Sequence, residues 1–184
     1  AGLIDEIGLW ALRRACQDAS EWPESLSVAV NLSAHQFASG RLLRQVTRAL
    51  TESGLDSGQL CLEITESVLL DNSEQVMQTL RQLGALGVSI AMDDFGTGFS
   101  SLAYLWRFPF DKIKIDQVFT KNMLHDSKVM MIVRSIVMLA HSLEIRINAE
   151  GVETEEQLEA LQELGCHELQ GFLLGRPVPV AELT

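Results

Sequence analysis

A chain of 184 residues, 47% hydrophobic and 21% charged, can bury a real core and lies far from the composition of disordered chains. Its 25 acidic side chains against 14 basic ones leave a net charge of −11, which excludes a protein that grips a DNA or RNA polymer by neutralising many phosphates. The 3 cysteines, Cys16, Cys61 and Cys166, lie far apart and form neither a disulfide framework nor a zinc pattern, so a reducing, cytoplasmic setting is expected. Apolar runs stay well short of the roughly 20 residues that cross a bilayer, so this segment is expected to make no membrane contact.

Taken in chain order, apolar spacing predicts a helix over 3–19, carried by Leu3, Ile4, Ile7, Leu9, Trp10 and Leu12. A strand run over Ser27 to Val30 follows, then a helix over 41–53, a strand over Gln59 to Ile64, a helix over 73–86 and a strand over Val88 to Met92. Strands over Lys112 to Ile115 and Arg146 to Ala149 flank a helix over 128–143, and a helix over 155–164 precedes a last apolar run over Leu169 to Leu173. Alternating strand and helix imply parallel strands joined by crossovers, hence an open doubly wound sheet or a (β/α)8 barrel. No linker or low-complexity tract divides residues 1–184, which read as one domain. About six strands are legible where a barrel of this class uses eight, and the chain enters at once on a helix, so the domain is expected to lack strands at its N-terminus.

In both architectures ligands bind at the carboxyl ends of the strands. The residues there are polar and mostly acidic: Asn31, Glu63, the pair Asp93-Asp94, Lys114, Glu150 and Gln170. Crowded carboxylates repel and take up protons unless a counter-charge is supplied. Hard oxygen donors suit Mg²⁺ or Mn²⁺ rather than zinc, and adjacent Asp93 and Asp94 leave room for two ions. A two-metal carboxylate site is a common device for phosphoester displacement, with Lys114 available to stabilise charge or position water. Each residue alone is equally well a helix cap or a rim charge; six in register are less easily explained that way.

Other signals are weaker. Gly96 and Gly98 lack the third glycine of a dinucleotide fingerprint and are expected to build a tight or mobile loop. Glu66, three residues after Glu63, could brace that loop or simply open a helix, and Glu153 stands in the same relation to Glu150. His35, His125, His141 and His167 show no metal spacing, and no nucleophile elbow occurs. Met130, Met131 and Met138 are expected to pack inside.

The strings Asn31-Leu32-Ser33, Leu62 to Ser67 (LEITES), Asp93 to Leu102 (DDFGTGFSSL), Lys112 to Asp116 (KIKID), Ala149 to Thr154 (AEGVET) and Gln170-Gly171-Phe172 together resemble the EAL domain, from Ala1 to about Pro179. The family comprises cyclic di-GMP-specific phosphodiesterases. The resemblance implies a modified (β/α)8 barrel that hydrolyses cyclic di-GMP to linear pGpG with Mg²⁺ or Mn²⁺, is inhibited by Ca²⁺, and in many members dimerises. It implies that Asn31, Glu63, Asp93, Asp94 and Glu150 are metal ligands, that Lys114 orients the hydrolytic water with Asp93, and that Gln170 is a further active-site residue. Glu66 would hold the DDFGTG loop, Glu153 would support the site from behind, and Phe95, Gly96, Thr97, Gly98, Phe99 and Ser100 would form the loop at substrate and dimer contacts. Fusion to sensory or diguanylate-cyclase-like domains is implied, including membrane-anchored ones.

The Glu-Ala-Leu motif that names the family, with its metal-binding Glu and substrate-binding Arg, occurs nowhere near the start, and Glu182-Leu183 is wrongly placed to replace it. The fragment is therefore expected to be inactive alone or to pack against another copy. Two alternatives stay open: a catalytically silent module that binds cyclic di-GMP or a partner, and an unrelated metal-dependent barrel enzyme of aldolase or enolase type.

Overall fold

The structure, a computed structural model, describes residues 2–70, 74–97, 102–108 and 110–182. Of the expected loop, Gly98, Phe99 and Ser100 lie outside the described residues. The chain divides into two compact units: Ala1–Met92 with Ser101–Phe110, and Asp93–Ser100 with Asp111–Thr184.

In the first unit, α1 (Gly2–Ala19) buries Leu12, Cys16 and Ala19, spaced four and three apart, and leaves Leu3, Ile7 and Trp10 exposed. β1 (Val28–Leu32) starts one residue later than predicted and runs two residues further, to include Asn31. The short α2 (Ala34–Ala38) escapes periodicity, although its capping box is legible: the Gln36 Oε1 accepts from the Ser33 N–H at 2.9 Å. α3 (Leu42–Ser53) ends on Gly54, whose φ of 72° closes the helix without the penalty a side chain would bring. β2 (Leu60–Thr65) pairs parallel to β1 and sets Asn31 opposite Glu63. Just before it, the Gln59 Nε2 donates to the carbonyls of Pro23 and Leu26 at 3.2 and 3.0 Å, tying the approach to β1. α4 (Glu66–Leu70) follows β2 directly, and α5 (Glu74–Ala85) buries Val76, Met77, Leu80 and Leu83 before β3 (Ser89–Phe95) begins. α6 (Leu102–Arg107) also belongs to this unit.

In the second unit, β4 (Lys112–Ile115) leads through α7 (Gln117–Asn122) and α8 (Ser127–Ser142) to β5 (Arg146–Ala149), then through α9 (Glu155–Leu164) to β6 (Glu168–Leu169). β4 pairs parallel with β5, and β5 with β6. Side chains alternate across a strand. One face of β4 and β5 carries Ile113, Ile115, Ile147 and Ala149, all fully buried, and the other carries Lys112, Lys114, Arg146 and Asn148. At the amino end of that polar face, Glu168 is held by both Lys112 and Arg146.

Two expectations need correction. The last apolar run forms a strand only at Glu168–Leu169; beyond it the chain turns around Val152, whose N–H donates to the Gln170 carbonyl at 3.0 Å and whose carbonyl accepts from the Leu173 N–H at 3.1 Å. Met131 and Met138, 62% and 65% exposed, stand on the outer side of α8, because Val133, Ile136, Val137 and Ala140 already form its inward stripe. Burial pushes the Cys16 and Cys166 thiols up to about 11, so both are protonated at neutral pH, as isolated reduced cysteines should be. Among the described residues, no helix is long and apolar enough to cross a membrane.

Candidate active site

Asp93 and Asp94 close β3 in the second unit. Neighbours in an extended strand point to opposite faces, yet Asp94 has a φ of 54°, a left-handed conformation that Asp tolerates better than most residues. The carboxylates of Asp93, Asp94 and Glu150 consequently each bring an oxygen within 4.8 Å of the others, the one such acidic cluster among the described residues. The turn is fixed locally: the Asp94 N–H donates to the Asp93 Oδ1 at 3.1 Å, and the Thr97 Oγ1 donates to the Asp94 carbonyl at 2.9 Å. Gly96 completes it at a φ of 93°, where an added Cβ would meet the Phe119 ring at 3.1 Å, and Phe95 is buried.

Lys114 reaches the cluster from β4. Its Nζ lies 3.1 Å from the Asp93 Oδ1 and 2.7 Å from the Glu150 Oε1, with the lysine itself only 4% exposed. Asp116, two residues on, caps α7 by accepting from the Val118 N–H at 2.7 Å and also hydrogen-bonds the Asp94 carboxyl. Burial, then the charge of Asp93, the hydrogen bond and charge of Asp116 and the charge of Glu150 push the Asp94 carboxyl up to about 6. Asp94 thus interacts with Asp93, Asp116 and Glu150 while Lys114 pairs with Asp93 and Glu150, and the excess negative charge is relieved by a proton or by a cation. All-oxygen donors at this spacing fit a hard divalent ion, and the residues present fit such an ion.

Beside Glu150 opens a pocket of about 220 Å³ lined by Gln117, Lys121, Glu153, Gln170 and Phe172 among others. There the Lys121 Nζ pairs with Glu153 at 3.2 Å and donates to the Gln117 Oε1 at 3.0 Å. Gln170 is held beside Glu150 by the turn around Val152. In the first unit, Asn31 and Glu63 are register partners near the carboxyl ends of β1 and β2, Glu63 buried and Asn31 exposed, while Glu66 opens α4, half-buried. Asp93, Asp94, Lys114 and Glu150 are thus brought together as the sequence led one to expect. Asp116 was assigned no role, although its position two residues after Lys114, just past the end of β4, was the available signal. Gln117 and Lys121 carried none, since a polar pair four apart on a short helix reads as surface.

The family model of the EAL domain matches residues 1–177. This chain belongs to the EAL domain family. Over 186 residues it is 47% identical to the bifunctional diguanylate cyclase/cyclic di-GMP phosphodiesterase MucR of Pseudomonas aeruginosa, covering 99% of this chain and 27% of MucR. It is 52% identical over 183 residues to an uncharacterized signaling protein of Caulobacter vibrioides, covering 100% of this chain and 23% of that protein. The EAL chain spans about a quarter of the length of the curated relatives it matches. Among solved structures, the PaMucR phosphodiesterase in complex with c-di-GMP superposes with a TM-score of 0.95 at 47% identity, covering 100% of this chain and 76% of that one. The manganese/cy-diGMP complex of Klebsiella pneumoniae BlrP1 matches with a TM-score of 0.81 at 33% identity over 94% of this chain and 44% of that one. The EAL fold of these neighbours is TIM-barrel-like, and the six parallel strands with flanking helices found here agree with it.

Proposed function

We propose that this EAL domain hydrolyses cyclic di-GMP to linear pGpG, using Mg²⁺ or Mn²⁺. The observation that carries the reading is the placement of Lys114 between Asp93 and Glu150, with Asp94 turned into the same cluster. Support comes from the family, from relatives named as cyclic di-GMP phosphodiesterases and from solved neighbours described with cyclic di-GMP and with manganese or calcium.

Asp93, Asp94 and Glu150 would hold the cations, with Asn31 and Glu63 as further ligands. A bound divalent ion supplies an activated water and a Lewis acid for the scissile phosphate. The chain's own groups do the rest. The Lys114 ammonium, fixed by two carboxylates, orients the attacking water together with Asp93 and offers positive charge to the phosphate as its negative charge builds. Water adds to phosphorus as one ester oxygen leaves with a proton, opening the ring to the linear dinucleotide. Gln170 contacts the substrate beside Glu150. Glu153 with Lys121 keeps the rim of the pocket in place. Dimerisation, and fusion to sensory or diguanylate-cyclase-like domains in the parent protein, belong to the same proposal.

The test is chromatography of the nucleotide products when the full-length protein is incubated with cyclic di-GMP and Mn²⁺. Accumulation of pGpG, abolished by Asp93→Asn and by Lys114→Ala, is expected. Tight calorimetric binding without any product would make the domain a sensor instead.

A further inference from the structure

Asn148 lies on β5, two residues before Glu150 and on the polar face of the strand. Its side chain is nine-tenths buried, at 9% exposure, and its Oδ1 has no hydrogen-bond partner. A buried acceptor without a donor costs about 1–3 kcal/mol, so such groups are normally satisfied, often by an ordered water. The sheet register names the neighbours on this face: Lys114 on β4 to one side and Glu168 on β6 to the other. Glu168 is a carboxylate already engaged by Lys112 and Arg146, and has no proton to give. Of these two flanking side chains only Lys114 is a donor, and its Nζ is drawn toward Asp93 and Glu150 rather than down onto Asn148.

We propose that Asn148 is a positioning residue for Lys114: its carboxamide holds a buried water that donates to the Oδ1 and accepts from the lysine ammonium. The ammonium is then braced from beneath as well as by Asp93 and Glu150. Water-bridged contacts of this kind cost little and fix geometry nearly as well as direct ones. Lys114 touches the reacting atoms in the proposed reaction; Asn148 acts only through it. The inference rests on the phosphodiesterase reading for its effect on rate, while the water itself can be observed without any turnover.

The experiment pairs a crystal structure of the full-length protein, at a resolution that shows ordered water, with kinetics of two variants. The water should lie within hydrogen-bond distance of both the Asn148 Oδ1 and the Lys114 Nζ, and be lost in Asn148→Leu, which keeps the size but removes the acceptor. With cyclic di-GMP and Mn²⁺, Asn148→Leu should lower kcat about tenfold with KM changed less than about twofold, as when groups supporting an active-site residue are removed. Asn148→Ser, whose hydroxyl can hold the same water, should restore most of kcat. No water on the Oδ1 of the wild-type protein would overturn the proposal. So would a Leu variant that loses thermal stability but keeps wild-type kcat, which is the signature of a purely structural residue. Should the Leu variant not fold, the wild-type water and the Ser variant carry the test. A wild-type protein that shows the water but makes no pGpG would remove the phosphodiesterase reading and leave the bridge standing.

Discussion

Asp93 and Asp94 are consecutive residues at the end of β3 whose carboxylates converge on one point, because the backbone turns left-handed at Asp94 with a φ of 54°. Backbone strain of this kind, of order 1–3 kcal/mol for an unsuited residue, persists where surrounding structure fixes it. Asn tolerates the same conformation, so Asp94→Asn should fold as well as the wild type. It should nonetheless weaken Mn²⁺ binding at least tenfold by calorimetry, about 1.4 kcal/mol. Asp94→Val should lower thermal stability as well, because a β-branched residue is strained at that φ.

Metal binding should depend on pH through Asp94. Its carboxyl, pushed up to about 6, must be ionised to ligate, so a proton competes with the cation below that value. Mn²⁺ affinity measured by calorimetry should fall between pH 7 and pH 5 more steeply than in Asp94→Asn. The sign for metal-free stability is opposite. A carboxyl raised above its unfolded value stabilises the fold below that unfolded value, and the benefit is lost as pH climbs through about 6. Added Mn²⁺ should therefore raise the melting temperature more at pH 7.5 than at pH 5.

Lys114→Ala should separate binding from turnover. Removing the ammonium takes away the positive charge beside Asp93 and Glu150, so the cluster should hold Mn²⁺ at least as tightly as before. Loss of a group that orients the nucleophile should lower kcat by about 10²–10⁴-fold. Equilibrium binding of Mn²⁺ and steady-state kinetics on the same preparation check both halves; weakened Mn²⁺ binding would contradict this account of the charge.

Gly171→Ala should displace Gln170. An added Cβ would sit 2.1 Å from the Val152 carbonyl oxygen and 2.3 Å from its nitrogen, both backbone atoms that cannot swing aside. The turn around Val152 would have to open, costing about 1–3 kcal/mol in urea unfolding, the range for overpacking. Because Gln170 lines the pocket beside Glu150, KM for cyclic di-GMP should rise as well.

The polar groups at the strand ends were legible because parallel architectures place ligands there, and alternation along β4 marks Lys114 as facing the same way as Lys112. What periodicity could not show was the approach of two adjacent aspartates to one point, which depends on a single left-handed residue. Nor could it show that β6 stops at Leu169: Leu169 to Leu173 reads as one apolar run, and only the hydrogen bonds to Val152 reveal a turn. The short helices α2, α4, α6 and α7 fall below the length at which a helical period can be counted. Capping pairs such as Ser33 with Gln36 are their better signal. Met131 and Met138 illustrate the opposite failure, apolar residues on a helix whose inward stripe is already filled.

The two faces of β4 and β5 also constrain how the chain can misfold. Ile113, Ile115, Ile147 and Ala149 alternate residue by residue with Lys112, Lys114, Arg146 and Asn148. A slip of β4 by one position would turn both lysines into the aliphatic layer and both isoleucines out of it, an error too costly to persist. Lys114, proposed to do chemistry, thereby also acts as a proofreader of strand alignment during folding. Selection for activity and selection against misregistered chains fall on the same position, so replacing Lys114 with an aliphatic residue should relax the fidelity of folding as well as removing turnover.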